Sequence, residues 1–323
     1  MATNVPKPGM DNRESYIGAS EAPAVCGVDP WATAGDVYVR KTNVLAPDNL
    51  ESNTKIRLGN LLEPILIQLA VEDYTEAVGG PVGIGITKGK TYVEPGDGIL
   101  RATPDACLRS KDGLEIIEAK TTGLEGWGDD LTDPGSIPQK VLVQIAAQFA
   151  CVPNSVRARI PVLIGRFGLD IKIYVIERPD IEDIVEAVTK QCAEFWRLWV
   201  KRGVVPPDSV AGMDILNRIK REPGSIVDLS DDDRVGPVLL ALTGVRETLK
   251  GLNKSEKDLK SRLVQMLGES EAADTRFGRI TYLSIDRKGY TVKPSSYRKL
   301  EMRAIDKELV AAQGKPLIGT TAP

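Results

Sequence analysis

The 323-residue sequence contains no histidine, the side chain that most often serves as a general base or transition-metal ligand near neutral pH. Any catalysis must therefore rest on carboxylates, Lys, Ser, Tyr or a bound hard metal ion. The four cysteines are far apart and form no CxxC pair, so neither a zinc site nor an iron–sulfur cluster is indicated. Cys26, Cys107, Cys151 and Cys192 are instead expected to be buried free thiols.

Long apolar runs are also missing. No stretch approaches the roughly 18 consecutive apolar residues of a membrane-spanning helix, and residues 1–15 lack the apolar segment of a signal peptide. A cytoplasmic protein is therefore expected. The net charge of −3 argues mildly against DNA binding, because duplex DNA usually binds basic surfaces. Basic residues gathered inside one cleft would still meet that requirement.

Several segments have helical patterns. Apolar residues recur at helical spacing from Lys55 to about Val78, and Gly79 and Gly80 close the predicted helix. Residues 16–27 predict a turn and a short helix capped by Ser20. Further helices are predicted over residues 138–150, 180–202 and 234–268. The apolar stripe of the second of these is typical of a core face rather than a binding face and comprises Ile184, Val188, Cys192, Phe195, Trp196 and Trp199.

Short apolar runs between Val82 and Thr122 predict a β-meander. Its clearest strand covers residues 113–121, and the alternation places Glu118 and Lys120 on the face of Leu114 and Ile116. The turn over residues 110–113 predicts a hairpin that pairs residues 99–108 with this strand, which would bring Asp105 close to Glu118. A second hairpin is predicted from residues 157–164 and 169–176.

The motif G-V-V-P-P-D at residues 203–208 predicts the end of the main domain. Four segments are therefore expected. They are a flexible N-terminus at 1–12, a core at 13–205, a helical and β-hairpin extension at 206–310, and a flexible tail at 311–323. The hairpin of the extension is predicted over residues 277–302, around Lys288 and Gly289.

Carboxylates occur where an ordinary globular fold would favour apolar residues. Glu63 shares its predicted helix face with Leu66, Ile67 and Ala70, and an isolated carboxylate buried there needs a cation or a proton. With Asp105 and Glu118 it forms a candidate site for Mg²⁺, which prefers oxygen ligands. Lys120 would orient the attacking water or neutralise charge on a phosphate. Taken alone, Glu118-Ala119-Lys120 is equally consistent with an ion pair on a strand, but Asp105 and Glu63 favour chemistry.

The motifs G-N-L-L-E-P, R-A-T-P-D-A, E-I-I-E-A-K-T and V-L-V-Q-I-A-A-Q resemble, in this order, the nuclease core of the PD-(D/E)XK superfamily. The resemblance is to the lambda-exonuclease and YqaJ viral recombinase branch and covers residues 13 to about 200. It implies an α/β fold like that of restriction endonucleases, with a mixed central sheet flanked by helices and a smaller α+β C-terminal extension. It places Mg²⁺, with Mn²⁺ as a substitute, on Glu63, Asp105, Glu118 and the backbone carbonyl of Ala119, beside the catalytic Lys120.

The same resemblance implies a site for the DNA end. I-G-A-S-E at residues 17–21 resembles the opening motif of the family, so Arg13 and Ser20 are expected to hold a terminal 5′-phosphate; an ordinary N-cap and a solvated arginine are the alternative. Thr103 stands where a serine contacts phosphate. Gln144 matches a glutamine near the active site. Where relatives carry Q-x-Q this chain has Ala146, so the role of the second glutamine is either absent or passed to Gln148, which is expected to bind the DNA.

The activity implied is 5′ to 3′ digestion of linear double-stranded DNA by a ring-shaped homotrimer. The setting implied is recombination by a phage or prophage protein in a bacterial host cell, with a single-strand annealing protein as partner. Two alternatives stay open: a PD-(D/E)XK endonuclease or nickase, and a catalytically inactive scaffold that binds DNA ends. The basic stretch 246–262 is interpreted as a solvated face in preference to a DNA-tracking surface.

Overall fold

The structure is a computed structural model that describes residues 13–46, 54–80, 85–122, 126–165, 169–206 and 209–285. The chain divides into two compact units, Met1–Arg221 and Glu222–Pro323. Within the described ranges, no helix combines the length and apolarity required to cross a membrane. The first unit is a mixed α/β structure, as the resemblance implies, and it contains all the predicted site residues.

The helices of the first unit surround its sheets. Their bounds are α1 (Ala22–Val25), α2 (Ala34–Thr42), α3 (Thr54–Ala77), α4 (Gln139–Cys151), α5 (Glu182–Phe195) and α6 (Met213–Arg218). The helices predicted from Lys55 and from residue 138 are confirmed by α3 and α4. The third prediction, over residues 180–202, is confirmed for α5, but the last turns, Trp196–Val200, form a π-helix. The predicted core face of α5 is also confirmed, because Val188, Cys192 and Phe195 are buried.

Two sheets form the rest of the first unit. The strands are β1 (Ile17–Gly18), β2 (Gly85–Lys88), β3 (Tyr92–Val93), β4 (Leu100–Ala102), β5 (Ala106–Arg109), β6 (Leu114–Ile117), β7 (Lys120–Thr122), β8 (Ser155–Gly165) and β9 (Leu169–Glu177). A three-stranded sheet has the order β1-β4-β3, and a six-stranded mixed sheet contains the other strands. β8 pairs in parallel with both β6 and β7, and antiparallel with β9, which confirms the predicted second hairpin.

The period of two along β6 separates two apolar layers. Ile116 belongs to the main core, which includes Ala146 and Phe149 of α4. Ile117 points to a smaller core with Ile67 and Ala70 of α3. The sheet is therefore covered on both faces, and residues of alternating parity on this strand reach different helices.

The structure corrects three details of the sequence prediction. The strand predicted over 113–121 is interrupted at Glu118 and Ala119. The segment predicted as one strand over 99–108 is divided by Pro104, which has no N–H to donate to a ladder, so only Ala106–Arg109 pairs with β6. Ser20 does not cap α1: the N-cap is Glu21 and the helix begins at Ala22, with Pro in its first turn. The turn at residues 110–113 closes the hairpin as predicted, with Ser110 donating to the carbonyl of Gly113.

Residues 209–219, which follow the predicted boundary at 205, belong to the first unit and contact α2. Ser209 Oγ accepts a hydrogen bond of 2.6 Å from the N–H of Gly35, and Asp36 Oδ1 accepts one of 2.7 Å from the N–H of Gly212. α6 then leads to a bridge between Leu45 and Ile219. The segment from 209 to 219 is thus fastened to α2 and the residues after it.

The second unit contains a long helix and a hairpin. α7 (Val235–Leu267) confirms the predicted helix, and β10 (Ala272–Thr275) pairs antiparallel with β11 (Gly278–Thr281). The hairpin predicted over 277–302 is therefore wrong at its start, because Phe277 lies in the turn of the β10–β11 hairpin. The predicted turn at Lys288 and Gly289 lies outside the described residues.

Candidate active site

The interruption between β6 and β7 forms the centre of the site. The N–H of Ala119 donates a hydrogen bond of 2.9 Å to Oδ2 of Asp105, and the N–H of Glu118 donates one of 3.1 Å to the carbonyl oxygen of Arg159 on β8. The backbone N–H of Ala119 thus bonds to the Asp105 carboxylate and not to a carbonyl oxygen of a neighbouring strand. This bond holds Asp105 against the Glu118–Ala119 segment, as the sequence predicted.

Three donors surround the buried carboxylate of Glu118. Its Oε1 accepts from Nζ of Lys120 at 2.8 Å and from the amide of Gln144 at 2.6 Å. Its Oε2 accepts from the amide of Gln148 at 2.7 Å. Lys120 also donates to Oε1 of Gln144 at 2.9 Å. Lys120, Glu118 and Gln144 therefore form a closed hydrogen-bonded triangle, and Gln148, one helical turn further along α4, holds the second oxygen of the same carboxylate.

Asp105 is the group in the site with the most perturbed acidity. Burial, followed by the negative charges of Glu118 and Glu63, raises the pKa of Asp105 to about 7. Hydrogen bonding from Ala119 and the charge of Lys120 act in the opposite direction. A carboxyl that holds its proton at such a pH lacks a sufficient cation nearby, so the site has an excess of negative charge in the absence of metal.

A cavity of about 380 Å³ joins the helix carboxylate to the strand carboxylates. Glu63, Asp105, Glu118 and Ala119 all line it, together with Lys55, Asn60 and Thr121. Glu63 is half-buried on the α3 face that also carries the buried Leu66, Ile67 and Ala70, which confirms the predicted face. The apolar residues Leu58 and Ile65 of the same helix are more than half exposed.

The donor set of this cavity suits a hard divalent cation. The available ligands are carboxylate and carbonyl oxygens, which Mg²⁺ prefers, and the raised pKa of Asp105 indicates where a positive charge would be stabilising. In the described part of the chain, however, no three acidic, histidine or cysteine side chains converge as a ready-made set of metal ligands. Glu118 is turned toward Lys120, Gln144 and Gln148 instead, so a metal would have to share its oxygens with these donors.

A second cavity, of about 370 Å³, lies beside Lys120 and Gln144. It shares Thr121 with the first cavity and is lined by Trp127, Pro30, Pro138 and Lys140. Nζ of Lys140 donates to the buried Asp29 at 3.0 Å, which fixes one wall. Thr121 therefore separates two cavities of similar volume, and Lys120 lines the second.

The residues predicted to hold a 5′-phosphate lie on two linked turns. Nζ of Lys41 donates to the carbonyl oxygen of Arg13 at 2.7 Å and to Oε2 of Glu21 at 2.6 Å. Ser20 precedes Glu21, and both Arg13 and Ser20 are exposed. Lys41 thus fixes the position of the Arg13 turn relative to the Ser20 turn. Thr103 is exposed as well and shares a hydrogen bond of 2.9 Å with Thr91.

Sequence reasoning missed two groups of charged residues. Arg101 on β4 stacks over the ring of Tyr16 at 4.5 Å, and its buried Nε has no hydrogen-bond partner. The fully buried Glu115 accepts from Nε of Arg159 at 2.7 Å and from Arg157 at 2.9 Å. Arg159 also donates to Asp73 of α3 at 2.6 Å. The sequence feature that indicates this network is the pair of arginines within the otherwise apolar segment V-R-A-R-I at residues 156–160.

Comparison with known proteins finds a similar family within the first unit. Residues 10–154 match the family model described as YqaJ-like viral recombinase domain. This part of the chain is similar to YqaJ-like viral recombinase domains. This confirms the resemblance seen in the sequence, and the matched residues include the turn of Arg13, the helix of Glu63 and the Gln144 and Gln148 pair. Within the matched residues, Glu118 lies between β6 and β7, and Lys120 is the first residue of β7.

Individual relatives are more distant. The uncharacterized protein YqaJ of Bacillus subtilis (strain 168) is 24% identical over 269 residues, which cover 80% of this chain and 77% of that relative. The crystal structure of an alkaline exonuclease (LHK-Exo) from Laribacter hongkongensis aligns with a TM-score of 0.36 at 16% identity and covers 59% of this chain and 94% of that chain. The LHK-Exo complex with dAMP aligns with a TM-score of 0.35 at 17% identity, over 59% and 95%.

Proposed function

We propose that this chain is a metal-dependent exonuclease that hydrolyses phosphodiester bonds of linear double-stranded DNA, from 5′ to 3′, and leaves single-stranded DNA for recombination. The observation that carries the proposal is the hydrogen-bonded triangle of Lys120, Glu118 and Gln144 beside Asp105, inside a YqaJ-like domain. A lysine held by a buried carboxylate and an amide, next to further acidic oxygens, suits phosphoryl chemistry better than it suits a structural ion pair.

The residues that would hold Mg²⁺, or Mn²⁺ in its place, are Glu63, Asp105, Glu118 and the carbonyl of Ala119. When bound, the metal would polarise the scissile phosphate and lower the pKa of the attacking water. Lys120 would donate hydrogen bonds to that water or to the phosphate oxygen on which charge develops. Gln144 would keep the ammonium of Lys120 in place, because it accepts from Nζ and donates to Glu118.

The DNA end would be recognised at the linked turns. A guanidinium at Arg13 and hydroxyls at Ser20 and Thr103 can donate to a 5′-phosphate dianion. Gln148 is buried against Glu118, so in this proposal it supports the carboxylate rather than contacting the DNA. The homotrimeric ring and the annealing partner implied by the resemblance remain part of the proposal.

Digestion of end-labelled DNA tests the activity directly. Linear duplexes labelled at the 5′ or the 3′ end, and a closed circle, are incubated with Mg²⁺, Mn²⁺ or EDTA. We expect release of the 5′ label first, only with metal, and no cutting of the circle. Lys120→Ala should reduce the rate about 100-fold or more, as the loss of a positioned proton donor does. Lys111→Ala, in the exposed turn before β6, is the matched control and should cut normally.

The other outcomes distinguish the alternatives. Cutting of the closed circle would replace the proposal with an endonuclease or nickase. Retention of linear DNA in a binding assay without any cutting, and without dependence on Mg²⁺, would assign the chain to a scaffold that binds DNA ends.

A further inference from the structure

The long helix α7 carries an apolar stripe that stays uncovered in the described part of the chain. α7 spans 33 residues, a length of roughly 50 Å. Its large apolar side chains with at least 44% exposure are Val238, Val245, Leu249, Leu252, Leu259, Leu263 and Met266. Monomeric proteins rarely leave so long a contiguous apolar stripe in water, so the stripe indicates an interaction surface.

The spacing of the stripe identifies the kind of surface. Val238, Val245, Leu252, Leu259 and Met266 recur every seven residues. Each member of a second series precedes a member of the first by three residues. This series contains Val235, Leu242, Leu249, Glu256 and Leu263. Together they alternate by three and four over nearly five heptads, which is a mean period of 3.5. This narrow seam is typical of a coiled coil, whereas a helix that packs on a globular core has a wider stripe with a period of 3.6.

We propose that α7 pairs with α7 of a second copy of this chain as an antiparallel two-stranded coiled coil. The seam contains nine apolar side chains in each helix. Full burial of such a side chain removes roughly 60–120 Å² from water, so the pair would bury about 1,000–2,200 Å². Stable protein interfaces bury roughly 1,200–2,000 Å², so the seam alone is large enough for a specific contact. This inference does not depend on the proposed nuclease activity.

Glu256 determines the orientation. It is the one charged residue in the seam, and it is paired with Lys260 of its own helix at 2.6 Å. A parallel pair would place Glu256 opposite Glu256 of the second copy, and like charges would repel each other. An antiparallel pair with Leu249 opposite Leu252 instead places Glu256 opposite Val245 and beside Arg246 of the second copy. The acidic residue then meets a guanidinium, so the charges are complementary only in the antiparallel arrangement.

Molar mass in solution tests the pairing. Leu249 and Leu252 meet at the centre of the proposed seam, so the double variant Leu249→Lys/Leu252→Lys should lower the molar mass of the full chain twofold in light scattering. The control Ser261→Lys/Gln265→Lys adds the same charges to the outer face of α7 and should leave the mass unchanged. If the nuclease units also form a ring, α7 joins two such rings, and the twofold decrease still holds. A monomeric wild type, or equal masses for the two double variants, would overturn the proposal.

Cysteine cross-linking tests the orientation. In the antiparallel register Val245 of one copy lies opposite Glu256 of the other, so Val245→Cys/Glu256→Cys should form covalent dimers on oxidation. Neither single variant should do so. The two positions are too far apart within one helix for an internal disulfide. Wild type provides the background: Cys107, Cys151 and Cys192 are buried, whereas Cys26, also expected to be buried, is only half-buried. Cross-linking by a single variant would overturn the antiparallel arrangement.

Discussion

The side-chain amide of Gln148 donates a hydrogen bond of 2.7 Å to Oε2 of Glu118, while its own carbonyl oxygen is buried without a hydrogen-bond partner. An unpaired buried oxygen is destabilising, typically by about 1–3 kcal/mol. Gln148 therefore stabilises the position of the Glu118 carboxylate, while its own unpaired oxygen destabilises the core. This is the pattern expected of a residue that positions a catalytic carboxylate.

Replacement of Gln148 by Met should separate the two effects. The volume is retained, removal of the unpaired oxygen is stabilising, and loss of the donor to Oε2 of Glu118 is destabilising. These effects offset each other, so the free energy of unfolding should change by less than about 1 kcal/mol. The rate of DNA cleavage should fall roughly 10–100-fold, because loss of a group that orients a ligand has this effect. Single-turnover cleavage and urea unfolding measure the two quantities. Gln68→Met, on the exposed face of α3, is the control, and a Gln148→Met enzyme with normal cleavage would remove Gln148 from the site.

The stability of the metal-free protein should depend on Asp105 between about pH 4 and 7. Burial, followed by the charges of Glu118 and Glu63, raises the pKa of Asp105 from 3.8 to about 7. The folded state thus keeps a proton that the unfolded state releases. Stabilisation from this group is complete below about pH 4 and is lost as the pH rises through 7.

Asp105→Asn should therefore be more stable than wild type at pH 8, by on the order of a few kcal/mol at about 1.4 kcal/mol per pKa unit. The difference should shrink toward pH 4, and urea unfolding in EDTA across this range measures it. Asp112→Asn, in the exposed turn before β6, should follow wild type. A constant difference between wild type and Asp105→Asn at all pH values would contradict the raised pKa.

Two isosteric substitutions in the network of Glu115, Arg157, Arg159 and Asp73 should change the free energy of unfolding by different amounts. Glu115 is fully buried and holds two arginines, so Glu115→Gln should destabilise the fold by about 3–5 kcal/mol, because it leaves buried charges without their partner. Asp73→Asn, whose side chain is 43% exposed, should cost at most about 1 kcal/mol. Thermal or urea unfolding gives both values. Similar effects of the two substitutions would show that the buried and exposed ends of the network contribute equally.

Discrimination between DNA ends should depend on Arg13. If its guanidinium binds the terminal phosphate, Arg13→Gln should slow digestion of 5′-phosphorylated DNA about 10-fold or more, given roughly 1.5–3 kcal/mol for a charged hydrogen bond. Digestion of the same duplex with a 5′-hydroxyl should stay unchanged. Arg109→Gln, exposed on β5, is the control. Equal slowing on both kinds of end would place Arg13 outside the phosphate site.

Local patterns in the sequence predicted the elements that carry the site. The period of two along β6 placed Glu118 on the face of Ile116, and the helical period of α3 placed Glu63 with Leu66 and Ile67. Both placements are confirmed, because they depend only on residues a few positions apart. The β8–β9 hairpin was predicted for the same reason.

Features that depend on distant residues were not visible in the sequence. The strand ends after Ile117 because Ala119 bonds to Asp105, and no local sequence pattern predicts this interruption. The contact from Arg159 to Asp73 spans 86 positions. Ser20 looked like an N-cap by residue type, yet the helix starts one residue later than that assignment requires, at Ala22. In each case a tertiary contact or a backbone constraint overrode a local preference.

The long sequence separations within the site also determine when the site can form during protein synthesis. Glu118 receives Gln148 from 30 positions downstream, and its N–H bonds to Arg159, 41 positions downstream. A nascent chain that has emerged only as far as residue 140 already contains Glu63, Asp105, Glu118 and Lys120. It can pair Asp105 with Ala119, but it still lacks the strand β8 and the two glutamines of α4 that bond to Glu118. Non-local pairing of this kind forms late in folding. The proposed cutting activity would therefore arise only once the parallel sheet is complete, and incomplete chains would leave the DNA of the cell intact.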